Sequence, residues 1–196
     1  MPRPLREQLI LRVAGQVFAR GGYERASMDR IADLADVSKP MLYAYFGSKE
    51  GLYVAYIEGT GRELVERLVR ADLGDAPHTD RLRALIAEFL TFVEEHRDGW
   101  TVLFHEVNAN RPLVELVAEL RSQVVAEVRR MLEAGGSSWP GLAPPASDGV
   151  AHAIIGAGEA LANWWLAHPA VAREQVTEWF VGLAQAAIAS AGRRDG

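Results

Sequence analysis

Val37-Ser38-Lys39-Pro40-Met41-Leu42-Tyr43-Ala44-Tyr45-Phe46, followed at once by Gly47-Ser48-Lys49-Glu50-Gly51, is the stretch on which the reading of this chain turns. Ser38 can accept a hydrogen bond from a backbone N–H of a first helical turn, and Pro40 falls inside that turn, where its missing donor is not needed. The segment therefore predicts a short helix opening at Ser38. Leu42 and Phe46, four residues apart, share one face, which leaves Lys39, Pro40 and Tyr43 on the other sides with Met41 and Tyr45 between. Gly47 supplies the permissive backbone of a helix end, and Ser48 can cap a following helix with Glu50 near its positive end.

Working upstream, Ser27 is a second cap, and Ile31, Ala32 and Leu34 belong to a preceding helix that ends in the connection Ala35-Asp36-Val37. Two short helices joined in this way make a helix-turn-helix. Ile31, Leu34, Val37, Leu42 and Phe46 are expected to share a small core with the stripe Ile10, Ala14, Val17 and Phe18 of the first helix. In this motif the second helix enters the major groove of DNA while the first crosses the backbone, so Lys39, Pro40 and Tyr43 become the base-facing candidates. The plainer reading is a surface hairpin with solvated Tyr and Lys side chains. Two phenols and an ammonium on so short a helix weigh toward nucleic acid.

The sequence here resembles the TetR/AcrR (tetracycline-repressor-like) family of bacterial transcription regulators. The resemblance rests on Phe18, Gly21-Gly22-Tyr23, Ser27-Met28, Ile31-Ala32, Val37-Ser38, Leu42-Tyr43, Tyr45-Phe46, Lys49-Glu50 and Leu52, over roughly the first sixty residues. It implies phosphate or groove contacts at Ser27, Tyr43, Tyr45 and Lys49, and operator-setting positions at Ser38, Lys39, Pro40 and Met41. Met41 departs from the family pattern, in which Thr or Gly is commoner, and offers an apolar surface suited to a thymine methyl. The resemblance also implies a homodimer, a palindromic double-stranded DNA operator and a small-molecule effector whose binding releases a repressor.

Composition agrees with such a protein. The 196 residues are 49% hydrophobic, enough for a core without staples, and contain no cysteine, which excludes disulfides and thiolate metal sites. Arg3, Arg6, Glu7 and Arg12 interrupt any apolar leader, and no stretch is long enough to span a bilayer, so the expectation is a soluble, cytoplasmic protein with no membrane partner. Net charge is −5, which at first sight disfavours phosphate binding. Residues 1–50 nevertheless hold eight Lys and Arg against six Asp and Glu, a net of +2, which leaves −7 for the remainder. A mildly basic head on an acidic body orients the molecule on DNA, and dimerisation adds affinity that one head lacks.

Every later segment reads as helix, giving an all-α fold of about nine helices: a three-helix DNA-binding domain at 1–50 and a helical effector-binding and dimerisation domain at 51–196. A long helix is predicted from Ser48 to about Asp72, then a break at Leu73-Gly74-Asp75-Ala76-Pro77. Helices near 80–97, 100–107 and 113–134 follow, with a turn at Asn108-Ala109-Asn110-Arg111-Pro112 and a loop from Gly135 to Ser147. The last two helices, near 148–168 and 170–191, should pair as an antiparallel hairpin. Val150, Ile154, Leu161 and Trp165 line one, and Val176, Trp179, Phe180, Leu183 and Ala187 the other, with Val181 and Ile188 to spare. That surplus suits a two-fold four-helix interface, against the alternative of a hairpin covered wholly by its own chain.

His152, Gly156, Glu159 and Asn163 form a polar and small stripe on the penultimate helix. It either lines an effector cavity, with Phe89, Phe92, Trp100, Phe104 and Val124 as apolar walls and His105 as a further polar group, or forms a hydrogen-bonded network around Glu159. Catalytic signatures fail: His105-Glu106-Val107-Asn108-Ala109 lacks the second His of a zinc protease, Gly156-Ala157-Gly158 follows no strand, and His152 with Glu159 lacks a third metal ligand. No cofactor, metal or enzymatic activity is implied. The competing readings are a helical ligand carrier with a vestigial head and, further off, a helical enzyme.

Overall fold

Two serines set the frame of the N-terminal region. The Ser27 hydroxyl accepts from the Arg30 N–H at 3.5 Å and the Ser38 hydroxyl from the Met41 N–H at 3.3 Å, each satisfying a donor that the first helical turn leaves open. In the computed structural model, which describes residues 2–71, 76–105, 111–135 and 141–192, these caps open α2 (Met28–Leu34) and α3 (Lys39–Phe46). They follow α1 (Arg3–Arg25) and precede α4 (Lys49–Ala71), α5 (His78–Glu95), α6 (Arg97–His105), α7 (Arg111–Ala134), α8 (Ala146–Leu166) and α9 (Arg173–Gly192). Among the described residues there are nine helices and no strand, as the periodicity predicts. The expected turn at 108–112 lies largely outside the described residues, and α7 already includes Arg111 and Pro112.

The turn between α2 and α3 is closed by backbone bonds. The Ala35 N–H donates to the Ile31 carbonyl at 2.9 Å and the Val37 N–H to the Ala32 carbonyl at 3.0 Å. Wrapping the chain this tightly puts Asp36 at φ 52°, a left-handed conformation that Asp tolerates better than most side chains. Gly22 (φ 76°) kinks α1 near its end and Gly47 (φ 74°) terminates α3.

The chain packs as two units. The first comprises residues 1–63 and 96–119, the second 64–95 and 120–196, so α4 and α7 each contribute to both. In the first unit Ile10, Ala14, Val17 and Phe18 of α1, Ile31 and Ala32 of α2 and Leu42 of α3 are buried as expected, joined by Leu52, Tyr53 and Ile57 of α4 and Trp100 of α6. The expected core member Leu34 is instead 55% exposed. The reason is geometric. Met28, Ile31, Ala32 and Ala35 all lie buried at i, i+3, i+4 and i+7, and at 3.6 residues per turn Leu34 falls about 110° from the centre of that stripe. Val37 and Phe46 are half-buried.

Tyr56 of α4 shows how closely the helices of this unit approach. A Cβ on Gly15 of α1 would meet its ring at 2.5 Å, and a Cβ on Gly99 of α6 would meet its hydroxyl at 2.9 Å. The phenol hydrogen-bonds Thr60, and burial, opposed by that bond and reinforced by Asp98 and Glu63, pushes its pKa up to about 12.

In the second unit α5, α8 and α9 share a core of Ile86, Leu90, Phe92, Val93, Ala151, Ile154, Ala162, Trp165, Val176, Phe180, Val181, Ala184 and Ile188. Val181 and Ile188, expected as spare surface, are interior residues. Gly158 lets α9 close on α8: a Cβ there would stand 2.9 Å from the Phe180 ring. The Trp165 indole N–H donates to the Val171 carbonyl at 2.9 Å and closes the hairpin between α8 and α9.

Gly51→Ala should destabilise the first unit by about 2 kcal/mol, because the added methyl would overlap the Phe46 carbonyl oxygen, which is backbone and cannot rotate away; chemical denaturation measures this. A phenol whose folded pKa lies above its unfolded value of 10.0 favours the folded state below pH 10 and loses that contribution as pH rises toward 12. Tyr56→Phe should therefore flatten the fall in stability between pH 10 and 12 that urea denaturation of the unaltered protein shows.

Candidate nucleic-acid interface

The groups expected to meet DNA fall into two sets once their partners are seen. Leu42 is the buried residue of α3, so the remainder of this helix faces outward or sits at its margin. Lys39, Pro40 and Tyr43 are exposed, Tyr43 by 42%. Met41 and Tyr45 are half-buried and each has an arginine from α1 beside it: the Arg6 guanidinium lies 3.9 Å from the Met41 sulfur, and the Arg3 guanidinium sits over the Tyr45 ring, 5.1 Å from its centre. Arg3 and Arg6 thus extend the positive character of α3. Sequence reasoning missed them as site residues because a separation of 35 positions, as between Arg6 and Met41, carries no periodic signal.

Lys49, for which the resemblance implies a phosphate contact, is held within the protein here. Its ammonium donates to the carbonyls of Tyr23 at 2.8 Å, Glu24 at 3.2 Å and Ala26 at 3.3 Å, and it stands 4.5 Å from the centre of the Tyr23 ring. Three donors meet three acceptors, so in this structure the residue ties the start of α4 to the end of α1. The Tyr23 phenol is raised above its usual pKa by burial first and then by Glu50 and Glu24. Ser27 and Ser38 are exposed, and both hydroxyls already accept the capping bonds described above.

Lys39, the only charged residue of α3, is engaged with α2: its ammonium lies 2.7 Å and 3.0 Å from the two Asp29 carboxylate oxygens. This hydrogen bond is the largest cause of a pKa raised above the ordinary lysine value, so the side chain is a cation under all physiological conditions. Asp29 was not visible as a site residue from spacing, since it lies ten positions away across the turn.

The residues proposed from sequence as an effector cavity differ in their surroundings. Phe92 is fully buried in the second unit with the Arg67 guanidinium over its ring at 5.7 Å. Half-buried Phe89 meets Phe180 edge-on at 6.4 Å. Trp100 is 1% exposed and belongs to the first unit. Glu159 pairs with Arg121 of α7 at 2.7 Å, whereas His152 is exposed and its Nδ1 lies 2.9 Å from the Asp148 carbonyl oxygen of its own helix. Val124 and Asn163 are half-buried, and the side chains of Phe104 and His105 lie outside those described.

The residues named for dimerisation also divide. Ile154, Trp165, Val176 and Phe180 are interior, Val150, Leu161 and Ala187 half-buried, and Trp179 and Leu183 exposed by 46% and 54%. Trp164, 40% exposed, joins the latter, with its ring centre 6.0 Å from that of Trp179 and 4.3 Å from that of His168.

Comparison with known proteins gives a consistent set of relatives. Residues 10–56 match the family model described as bacterial regulatory proteins, tetR family, and residues 78–187 match that of the tetracyclin repressor-like C-terminal domain. The HTH-type transcriptional activator FasR of Mycolicibacterium smegmatis is 35% identical over 134 residues, 68% of this chain and 57% of the relative. The HTH-type transcriptional repressor NicS of Pseudomonas putida is 30% identical over 132 residues, 64% of this chain and 61% of the relative. The matched stretches thus span somewhat under two thirds of these two relatives. A TetR-like transcriptional regulator from Rhodococcus sp. RHA1 superposes with a TM-score of 0.80 at 33% identity, covering 96% of this chain and 98% of the other. The fold is also that of a tetR-family transcriptional regulator from Streptomyces coelicolor, at a TM-score of 0.80, 24% identity, and 99% and 85% coverage.

Lys49→Met keeps the alkyl stem but removes the three charge-assisted bonds, and should lower the unfolding free energy by about 2 kcal/mol, read by urea denaturation.

Proposed function

Because the chain belongs to the TetR family of bacterial transcriptional regulators, we propose that it is a homodimeric, ligand-responsive repressor of a palindromic operator. The observation that carries this reading is the outward face of α3, where Lys39, Pro40 and Tyr43 are exposed beside Arg3 and Arg6 on a helix whose position is set by its capped ends and by buried Leu42. A helix so mounted can lay its N-terminal residues against base edges while the arginines meet phosphates. Residues 1–50 then serve as the DNA-binding head and 51–196 as the effector-binding and dimerisation body. The head carries the net positive charge.

Trp164, Trp179 and Leu183 support the dimer. Three large apolar side chains exposed together on the α8–α9 hairpin form the kind of patch that a second copy covers about a two-fold axis, and the dimer so made carries two heads. Half-sites would lie about one helical turn, or a multiple of it, apart. The effector is a small molecule bound in the body, for which Phe89, Phe92, Trp100, Phe104, His105, Val124, His152, Glu159 and Asn163 are the candidates that the sequence offers. It releases DNA by binding better to a dimer whose heads are wrongly spaced, with α4, which runs from the head into the body, as the lever. Activation is the second reading, favoured by the name of the FasR relative; an operator placed upstream of a promoter rather than across it would produce it.

Selection of bound fragments from genomic DNA, repeated in the presence of a metabolite panel, tests the whole reading. A roughly palindromic consensus whose affinity falls steeply with salt and is abolished by one class of metabolite is the expected result; salt-insensitive binding with no consensus would refute it. Trp179→Asp with Leu183→Asp should convert the dimer to monomers in analytical ultracentrifugation and weaken operator binding by about a hundredfold or more, since avidity between two heads is lost.

A further inference from the structure

Asp29 is out of place on a surface meant for a polyanion. It stands in the first turn of α2, where an acidic side chain suits the positive end of the helix, but the same carboxylate reaches across the turn to Lys39. The two side chains are 65% and 47% exposed, so the pair is open to water and to any competing acceptor. Exposed ion pairs of this kind exchange partners readily and are held only weakly. Lys39 is nevertheless the only cation on α3, and Tyr43, next to it on the outward face, is the other exposed donor of this helix. The ammonium that α3 brings to DNA is therefore occupied before DNA arrives.

We propose that Asp29 is a specificity-determining residue that holds Lys39 in reserve, its carboxylate keeping the ammonium until a matched operator presents a competing acceptor. On unmatched DNA, where α3 does not seat in the groove, Lys39 remains on Asp29, the lysine contributes nothing, and the carboxylate adds repulsion against the phosphates. On the operator the close fit supplies a base edge or phosphate at the ammonium and the pair exchanges. Asp29 thus lowers affinity for the wrong sequences more than for the right one, and widens the ratio between them without touching a base. This inference rests on the operator-binding reading above and adds to it a residue that faces the protein's own lysine.

The test is a fluorescence-anisotropy titration of the unaltered protein, Asp29→Asn, Lys39→Ala and the double variant. Each is titrated on the selected operator and on a random duplex of equal length, from 50 to 300 mM salt, with thermal melting as a check on folding. Asp29→Asn should tighten binding to random DNA by about tenfold while tightening operator binding by about threefold or less, and its salt slope on random DNA should steepen by up to about 1.8 for the two lysines of a dimer, at about 0.9 per new phosphate contact. The double variant, compared with Lys39→Ala, should keep only the smaller part of that gain that comes from lifting the carboxylate's repulsion, because the lysine that makes the rest is absent. Weakened operator binding by Asp29→Asn would show that the carboxylate positions the lysine, and an unchanged ratio of operator to random affinity would show that the pair is inert; either result overturns the proposal. If Asp29→Asn melts early, Asp29→Ser removes the charge while keeping a short polar side chain in the first turn of α2. Failure of the unaltered protein to prefer any DNA sequence would overturn the operator-binding reading and this inference with it, and is distinguished from the other failures because it needs no variant.

Discussion

The Lys49 ammonium, gathered by the carbonyls of Tyr23, Glu24 and Ala26, is the interaction on which the geometry of the head depends. A helix end leaves carbonyls without partners, and a cation is the best ligand for several of them at once. Here the cation comes from the first residue of α4, so the last turn of α1 is closed by the beginning of α4 and the intervening α2 and α3 are held between two fixed points. The backbone bends that this loop of chain requires fall at Gly22, Asp36 and Gly47, three residues that accept positive φ at lower cost than most. Phe18, Tyr23 and Tyr53 fill the space beneath, with ring centres 4.7 Å apart for Phe18 and Tyr53 and 5.0 Å for Tyr23 and Tyr53. Position comes from α1 and α4; α3 is free to present its outer face.

Much of this was legible in the sequence because it is local. Caps at Ser27 and Ser38, the proline inside the first turn of α3, the glycine at its end and the stripe Ile10, Ala14, Val17 and Phe18 are encoded within a few residues of where they act. What was not legible depends on how distant segments meet. Leu34 was expected inside because it is a leucine on a short helix, but Ala35 at the following position completes the buried stripe. The bonds from Lys49 to the carbonyls of Tyr23, Glu24 and Ala26 span more than twenty positions and leave no local signal. Arg6, Arg3 and Asp29 come beside α3 solely through contacts across the turn or from α1.

The body was less legible for a related reason. Both α8 and α9 are apolar on most faces, so periodicity could not separate the side toward α5 from the side toward solvent. Packing makes that choice. Val181 and Ile188 go inward, Trp164, Trp179 and Leu183 outward, and Gly158 marks the point at which Phe180 presses closest. A polar stripe on α8 similarly contains residues in different situations: Glu159 is paired with Arg121, while His152 turns to its own helix.

That α3 anchors itself through Leu42 has a consequence for the history of such a protein. Most of its remaining side chains are exposed or at the margin, so exchanging Lys39, Pro40 or Tyr43 leaves the interior largely undisturbed. A duplicated copy could drift toward a new set of promoters by a few surface changes while its scaffold stays under separate and stricter constraint. A helix held by so narrow an anchor can change its outer face while its seat is kept.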